Sequence, residues 1–206
     1  ESTVHTLDPF AIQFTESFGI RWYGLAYLTG FVAGWLITRW LAKRGCVPRV
    51  RLRIGGAKTA ADEPYVTGLQ EKLTAAGLAA RVEWRPNLSF KEKVHFFHDL
   101  TVFSVPATYG EAFGLYVVEA SASGVPFVQP DHAAFPELLA ATEGGVLCKP
   151  DDPKALADAL EAVLKDDVLR ERISKTAMAR VRQEFTSTRM AERFEALLVE
   201  ATAPVA

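Results

Sequence analysis

The chain has 206 residues, 49% of them apolar and 23% charged, with a formal net charge of −2. This composition can bury a core and excludes a disordered or low-complexity chain, while the mixing of acidic residues with lysines and arginines leaves no surface suited to nucleic acid. Two cysteines, Cys46 and Cys148, stand far apart in unlike surroundings, so neither a disulfide framework nor a metal cluster is indicated and reduced thiols are expected. The first residue is Glu1, and the N-terminus is read as cut.

Residues 22 to 38, WYGLAYLTGFVAGWLIT, carry no formal charge, and extending to Ala42 adds only Arg39. Such a run predicts a transmembrane helix over about 22–42, because twenty-one helical residues rise roughly 31 Å and Arg39 can snorkel to the headgroups. Trp22, Tyr23, Trp35 and Trp40 are interface-seeking aromatics, and Gly30 with Gly34 makes a GxxxG face. A buried helix of a soluble protein is the alternative. A cleavable signal peptide fits less well, because no basic segment precedes the run and no small-residue cleavage site follows it. Arg39, Lys43, Arg44, Arg49, Arg51, Arg53 and Lys58 then follow with no acidic residue before Asp62, against only Asp8, Glu16 and Arg21 on the other side. That asymmetry predicts a single-pass protein with its C-terminal part in the cytoplasm. The words LDPF at 7–10 and IRWYGLAYLTGFVAGW at 20–35 resemble the first transmembrane region of the prolipoprotein diacylglyceryl transferases, which implies a bacterial-type inner membrane. The resemblance covers residues 5–45 and no second apolar span follows, so diacylglyceryl transfer is expected to be absent.

From Val47 onward short apolar runs alternate with amphipathic helices, the pattern of βαβ units on a parallel sheet. Strands are predicted at 50–54, 81–84, 100–105, 126–129 and 146–148, and helices at 65–76, 90–98, 114–123, 152–165, 167–184 and 187–201. Asp152 as N-cap and Pro153 at the first helical position mark the start of one of these helices. The expected fold class is α/β, a Rossmann-like parallel sheet flanked by helices over 47–206, preceded by a membrane-anchor segment over 1–46.

The chemically informative word is YGEAFGLYVVEASASGVPFV, residues 109–128. The eight-residue spacing of Glu111 and Glu119 recurs at Glu63/Glu71 and Glu184/Glu192, so it carries nothing by itself. Context separates the first pair, which lies between a strand and a helix whose N-terminus would offer free amides and a partial positive charge to a diphosphate. Gly114 would let a ligand approach the backbone, and Glu119, more than a turn further on, could accept both hydroxyls of a ribose. His95 and His98 share a helix face but lack a third ligand beyond Asp99. Gly55 and Gly56 follow a strand without a phosphate-loop continuation and are read as a strand-end turn near the nucleotide. Asp131 and His132 follow another strand end, where a cleft position and a plain loop role stay open.

The pattern E-x-FG-L-x-x-x-E-A-x-A-x-G-x-P, with Phe135, Pro136 and Glu137 after the next strand, resembles the group 1 retaining glycosyltransferases of the GT-B fold from about Val50 to Leu198. The resemblance implies a nucleotide-diphosphate sugar as donor substrate, no cofactor and no metal. It implies that Glu111, the catalytic candidate, holds donor-sugar hydroxyls and that the amides around Phe113, Gly114 and Leu115 contact sugar and phosphate. Glu119 would hold the ribose, and the loop Arg85, Pro86, Asn87, Leu88 would lie beside the base. A complete enzyme of this kind also has an N-terminal acceptor domain and a further strand–helix unit whose Arg and Lys meet the diphosphate, and neither has a counterpart here. The chain is therefore expected to bind donor but to be weakly active or inactive alone, a second polypeptide supplying the acceptor domain. Arg51, Arg53 and Lys58 are the candidates to replace the missing cations. A non-catalytic membrane-tethered remnant and a fragment of a diacylglyceryl transferase are the alternative readings.

Overall fold

The computed structural model describes residues 10–15, 18–21 and 50–202. The predicted span over 22–42, its aromatic and glycine residues, the basic residues from Arg39 to Arg49 and Cys46 lie outside the described residues. Among the described residues no helix is long and apolar enough to cross a membrane. Phe10–Thr15 (β1) and Phe18–Arg21 (β2) form an antiparallel pair.

Leu52–Gly56 (β3), Glu63–Ala75 (α1) and Val82–Pro86 (β4) make a βαβ unit with parallel strands, in register from Leu52 opposite Val82 to Gly56 opposite Pro86. α1 buries Val66, Leu69 and Leu73, one helical face. It ends at Gly77 in the left-handed region (φ 70°), where the Gly77 amide donates to Thr74 O (2.9 Å) and the Leu78 amide to Leu73 O (2.9 Å). This pair of bonds satisfies carbonyls that the helix end would leave open, and Leu78 is buried beside them.

Phe90–His98 (α2) starts at a reciprocal cap between Ser89 and Glu92. Leu115–Ala122 (α3), Phe127–Pro130 (β5), Phe135–Thr142 (α4) and Gly145–Cys148 (β6) follow, with β5 and β6 parallel. Pro153–Lys165 (α5) starts on the predicted Asp152 cap, whose carboxylate accepts from the amides of Lys154 (3.1 Å) and Ala155 (3.0 Å). Asp167–Glu184 (α6) and Ser187–Thr202 (α7) complete the chain. No residue of α7 is buried, and Met190, Phe194, Leu197, Leu198 and Val199 are exposed on it.

The parallel sheet is present as two ladders. The strand predicted over 100–105 contributes one bridge, Phe103 beside Phe127, with Phe103 N donating to Pro126 O and Val128 N to Phe103 O, both at 2.9 Å. It stops there because the Val105 amide donates to the Gln129 side chain (3.1 Å) and Pro106 has no N–H. Among the described residues no backbone hydrogen bond joins this Phe103–β5–β6 ladder to β3–β4. α4 is an addition: Phe135, Pro136 and Glu137, read from sequence as a short element, are the first turn of an eight-residue helix.

The core lies on both faces of β5, all of whose residues are buried. Phe127 packs with Phe97, Phe103, Val117, Phe135 and Val181. Val128, pointing the other way, packs with Cys148, Leu156, Val163 and Ile173. Burial raises the Cys148 thiol to about 11, which leaves it protonated at neutral pH. β6 can lie this close only because of glycine. A Cβ on Gly144 would come 2.5 Å from the Ala177 Cβ, and one on Gly145 would fall on the Phe127 carbonyl oxygen and ring. Gly145→Ala is expected to destabilise the fold by about 1–3 kcal/mol or more, since backbone must shift, measured as a lowered urea midpoint; an unchanged midpoint would contradict this packing.

Candidate functional site

The turn before α3 is set by Gly114, the helix N-cap, at φ 75°. A Cβ there would meet Leu138 Cδ1 at 3.1 Å and Phe135 Cε1 at 3.3 Å, so both the conformation and the space call for glycine. The first two amides of the helix, those of Leu115 and Tyr116, have no intrahelical acceptor by helix geometry. They are the groups that a helix N-terminus offers an anion.

Glu111 faces back into this turn. Its Oε1 accepts from the amides of Gly114 (3.1 Å) and Phe113 (3.3 Å), and its Oε2 accepts from the hydroxyls of Tyr116 (2.9 Å) and Tyr109 (3.3 Å). Partial burial pushes this carboxyl up, but the Tyr116 hydroxyl, the two amides and Tyr109 outweigh it and hold it below its ordinary range. Burial and then the bond to Glu111 raise the Tyr116 phenol. Both Glu111 oxygens and two of the three amides assigned by resemblance to the donor are therefore paired with one another, and only the Leu115 amide of that set lies outside the ring. The Phe113 side chain is half exposed and rests on Phe185 (6.2 Å), just ahead of α7.

Glu119 sits in the second turn of α3, half buried, and Lys93 Nζ of α2 donates to its Oε1 at 2.5 Å. The loop residues form a third group. Asn87 (φ 55°) donates its amide to Gly56 O (2.8 Å) and its Nδ2 to Lys58 O (2.9 Å), and its Oδ1 accepts from Lys58 N (2.8 Å). Arg85 pairs with Glu83 (2.6 Å) and is exposed, as is Pro86. Gly55 lies under Phe96 of α2, where a Cβ would stand 3.1 Å from the ring.

Two of the three cations considered for the diphosphate, Arg53 and Lys58, are engaged elsewhere, and the third, Arg51, is exposed. Arg53 bridges Asp99 (2.6 Å) and Glu83 (2.9 Å), and Lys58 bridges Glu63 (2.8 Å). His95 and His98 are exposed on α2, and Asp131 and His132 are exposed between β5 and α4. Among the described residues no three His, Cys, Asp or Glu side chains gather as a metal would need. Sequence reasoning missed Lys93, one of the two lysines in FKEK with nothing local to distinguish it. It also missed Tyr116, which could have been flagged as a polar aromatic in the first helical turn beside Glu111.

These features define a doubly wound α/β domain with a helix N-terminus and two helix-borne or turn-borne carboxylates at the strand ends. Residues 41–180 match the family described as glycosyl transferases group 1, and the chain belongs to that family. Residues 9–54 also match prolipoprotein diacylglyceryl transferase. The chain is 37% identical over 114 residues to the phosphatidyl-myo-inositol mannosyltransferase of Mycobacterium leprae, covering 55% of this chain and 30% of that protein. Over 41 residues it is 54% identical to the phosphatidylglycerol–prolipoprotein diacylglyceryl transferase of Bdellovibrio bacteriovorus, covering 20% of this chain and 12% of that protein. Among solved structures, Anabaena Alr3699/HepE in complex with UDP and glucose superposes with a TM-score of 0.70 at 23% identity, covering 81% of this chain and 44% of that one. This last likeness shows the fold.

The Glu111 ring generates a pH prediction. A folded carboxyl held low contributes stability that is present above its unfolded value of about 4.3 and is lost as pH falls through the folded one. Tyr116→Phe should cost about 1 kcal/mol at pH 7, and the difference from wild type should shrink below about pH 4. A difference constant from pH 7 to 3 in urea titrations would count against the ring.

Proposed function

We propose that this chain is the donor-binding half of a retaining glycosyltransferase that takes a nucleotide-diphosphate sugar. The observation that carries the reading is the N-terminus of α3: a left-handed Gly114, open amides at Leu115 and Tyr116, and Glu119 one turn beyond with one oxygen lacking a partner among the described residues. In this reading the Leu115 amide and the helix dipole meet the diphosphate and Glu119 accepts the ribose hydroxyls. Glu111, turned out of its ring, takes hydroxyls of the sugar and releases the Phe113 and Gly114 amides to the donor. Gly55, Gly56 and the loop Arg85, Pro86, Asn87 border the nucleoside. The HepE structure, which contains UDP and glucose, supports such a ligand.

Transfer by this chain alone is weak or absent in the same reading. The chain spans about a third of the mannosyltransferase it resembles and under half of HepE, and Arg53 and Lys58 neutralise carboxylates of their own. Such a half works with an acceptor side, which a second polypeptide or a further part of the same protein would supply. The apolar run 22–38 and the basic residues after it support a single-pass anchor in a bacterial-type inner membrane with the glycosyltransferase domain cytoplasmic.

Calorimetry of the full chain with UDP, GDP and ADP tests the donor site. One diphosphate should bind, and Glu119→Ala should weaken it by about 1–3 kcal/mol, the range for losing charged hydrogen bonds; no binding by folded protein would sink the proposal. Alkaline carbonate should leave the chain in the membrane pellet, and its release into the supernatant would rule out the anchor.

A further inference from the structure

We infer that Phe90 and Lys93, both on the first turn of α2, complete the nucleoside part of the donor site, Lys93 as the positioning residue for Glu119 and Phe90 as the stacking surface for the base. The inference rests on the donor-binding reading of α3.

Lys93 Nζ donates to Glu119 Oε1 at 2.5 Å, joining two helices through residues 26 apart in sequence. Glu119 Oε2 has no hydrogen-bond partner among the described residues. The ammonium thus fixes the carboxylate while leaving unused lone pairs for two diol hydroxyls. The same ammonium lies 5.9 Å from the centroid of the Phe90 ring, and that ring is 75% exposed. An apolar side chain of this size at the start of a helix contributes nothing to the core.

Its position is nevertheless fixed. Ser89 N and Oγ donate to Glu92 Oε2 (2.8 and 2.5 Å), and Glu92 N donates to Ser89 Oγ (3.4 Å). This cap anchors the turn that carries both residues and keeps Glu92 from competing for Lys93. Three residues before the ring, Asn87 is clamped to Gly56 and Lys58, so the chain enters α2 from a rigid loop. Carboxylate, ammonium and an open aromatic face thus stand side by side within the span of a nucleoside. Stacking tolerates any base, so Phe90 adds affinity for nucleosides as a class.

Binding of ADP, 2′,3′-dideoxy-ADP and inorganic pyrophosphate to the full chain, with circular dichroism confirming the fold of each variant, tests this. Phe90→Ala should weaken ADP roughly tenfold and leave pyrophosphate unchanged, with Phe90→Tyr restoring ADP. Lys93→Met should weaken ADP roughly tenfold but leave the dideoxy compound unchanged, because Lys93 acts through the diol's acceptor, and Lys93→Arg should keep most of the affinity. Equal losses for ADP and dideoxy-ADP in Lys93→Met would overturn the positioning role. ADP affinity unchanged in Phe90→Ala would overturn the stacking role. Failure of the wild type to bind ADP would overturn the base-tolerant stacking site, while failure to bind UDP, GDP and ADP alike, or of Glu119→Ala to weaken the diphosphate that binds, would remove the donor-site reading and this inference with it.

Discussion

The arrangement at the head of α3 hangs on one backbone position. Gly114 takes a conformation that L side chains rarely adopt, and it does so against the Phe135 ring and Leu138, on which a methyl group would press. That close approach lets the chain turn from the Phe103 bridge into a helix whose first amides face outward. It also brings Glu111 within reach of two backbone amides and two tyrosine hydroxyls. The turn is supported from below by an aromatic series: Phe97 on Phe103 (5.4 Å), Phe103 beside Tyr116 (6.0 Å) and Tyr116 beside Phe135 (6.5 Å). Core packing and site geometry are therefore one structure, with Tyr116 belonging to both.

The Glu111 ring recasts what a glutamate in this motif does before any ligand arrives. A carboxylate that would otherwise sit half buried beside a helix N-terminus closes on the donors around it, and those donors are in turn satisfied. The ring is self-complementary, carboxylate and donors pairing with one another. In the proposed function a donor entering it would exchange one set of hydrogen bonds for another, and net affinity would come from groups outside the ring, chiefly the Leu115 amide, the helix dipole and Glu119.

Much of the fold was legible in sequence because its signals are local. Phe90–His98 and Asp167–Glu184 agree with their predicted bounds, and the Asp152–Pro153 start and the Gly77 stop act through their own backbone chemistry. What was not legible depends on distant partners. The strand at 100–105 shrank to Phe103 because Gln129, far along the chain, takes the next amide. The Phe135–Thr142 helix was hidden by its Pro136, which is compatible with a first turn but reads as a loop signal. At the site, Glu111, Gly114 and Glu119 were visible in the motif. Lys93 was not, because nothing in FKEK distinguishes the lysine that points across to Glu119.

The split between the two ladders has a consequence for how the molecule loosens. In the β3–α1–β4 unit only α1 buries side chains of its own, and the contacts that tie the unit to the rest include Arg53 with Asp99, Val50 against the Val128–Leu156 cluster and Phe96 over Gly55. Phe97 holds α2 to the other core. A partial opening therefore peels away the first βαβ unit with the 85–88 loop, while Phe103, β5 and the head of α3 stay closed. Amide hydrogens in the two regions should then exchange as separate protection classes, with the seam between them at the candidate nucleoside site.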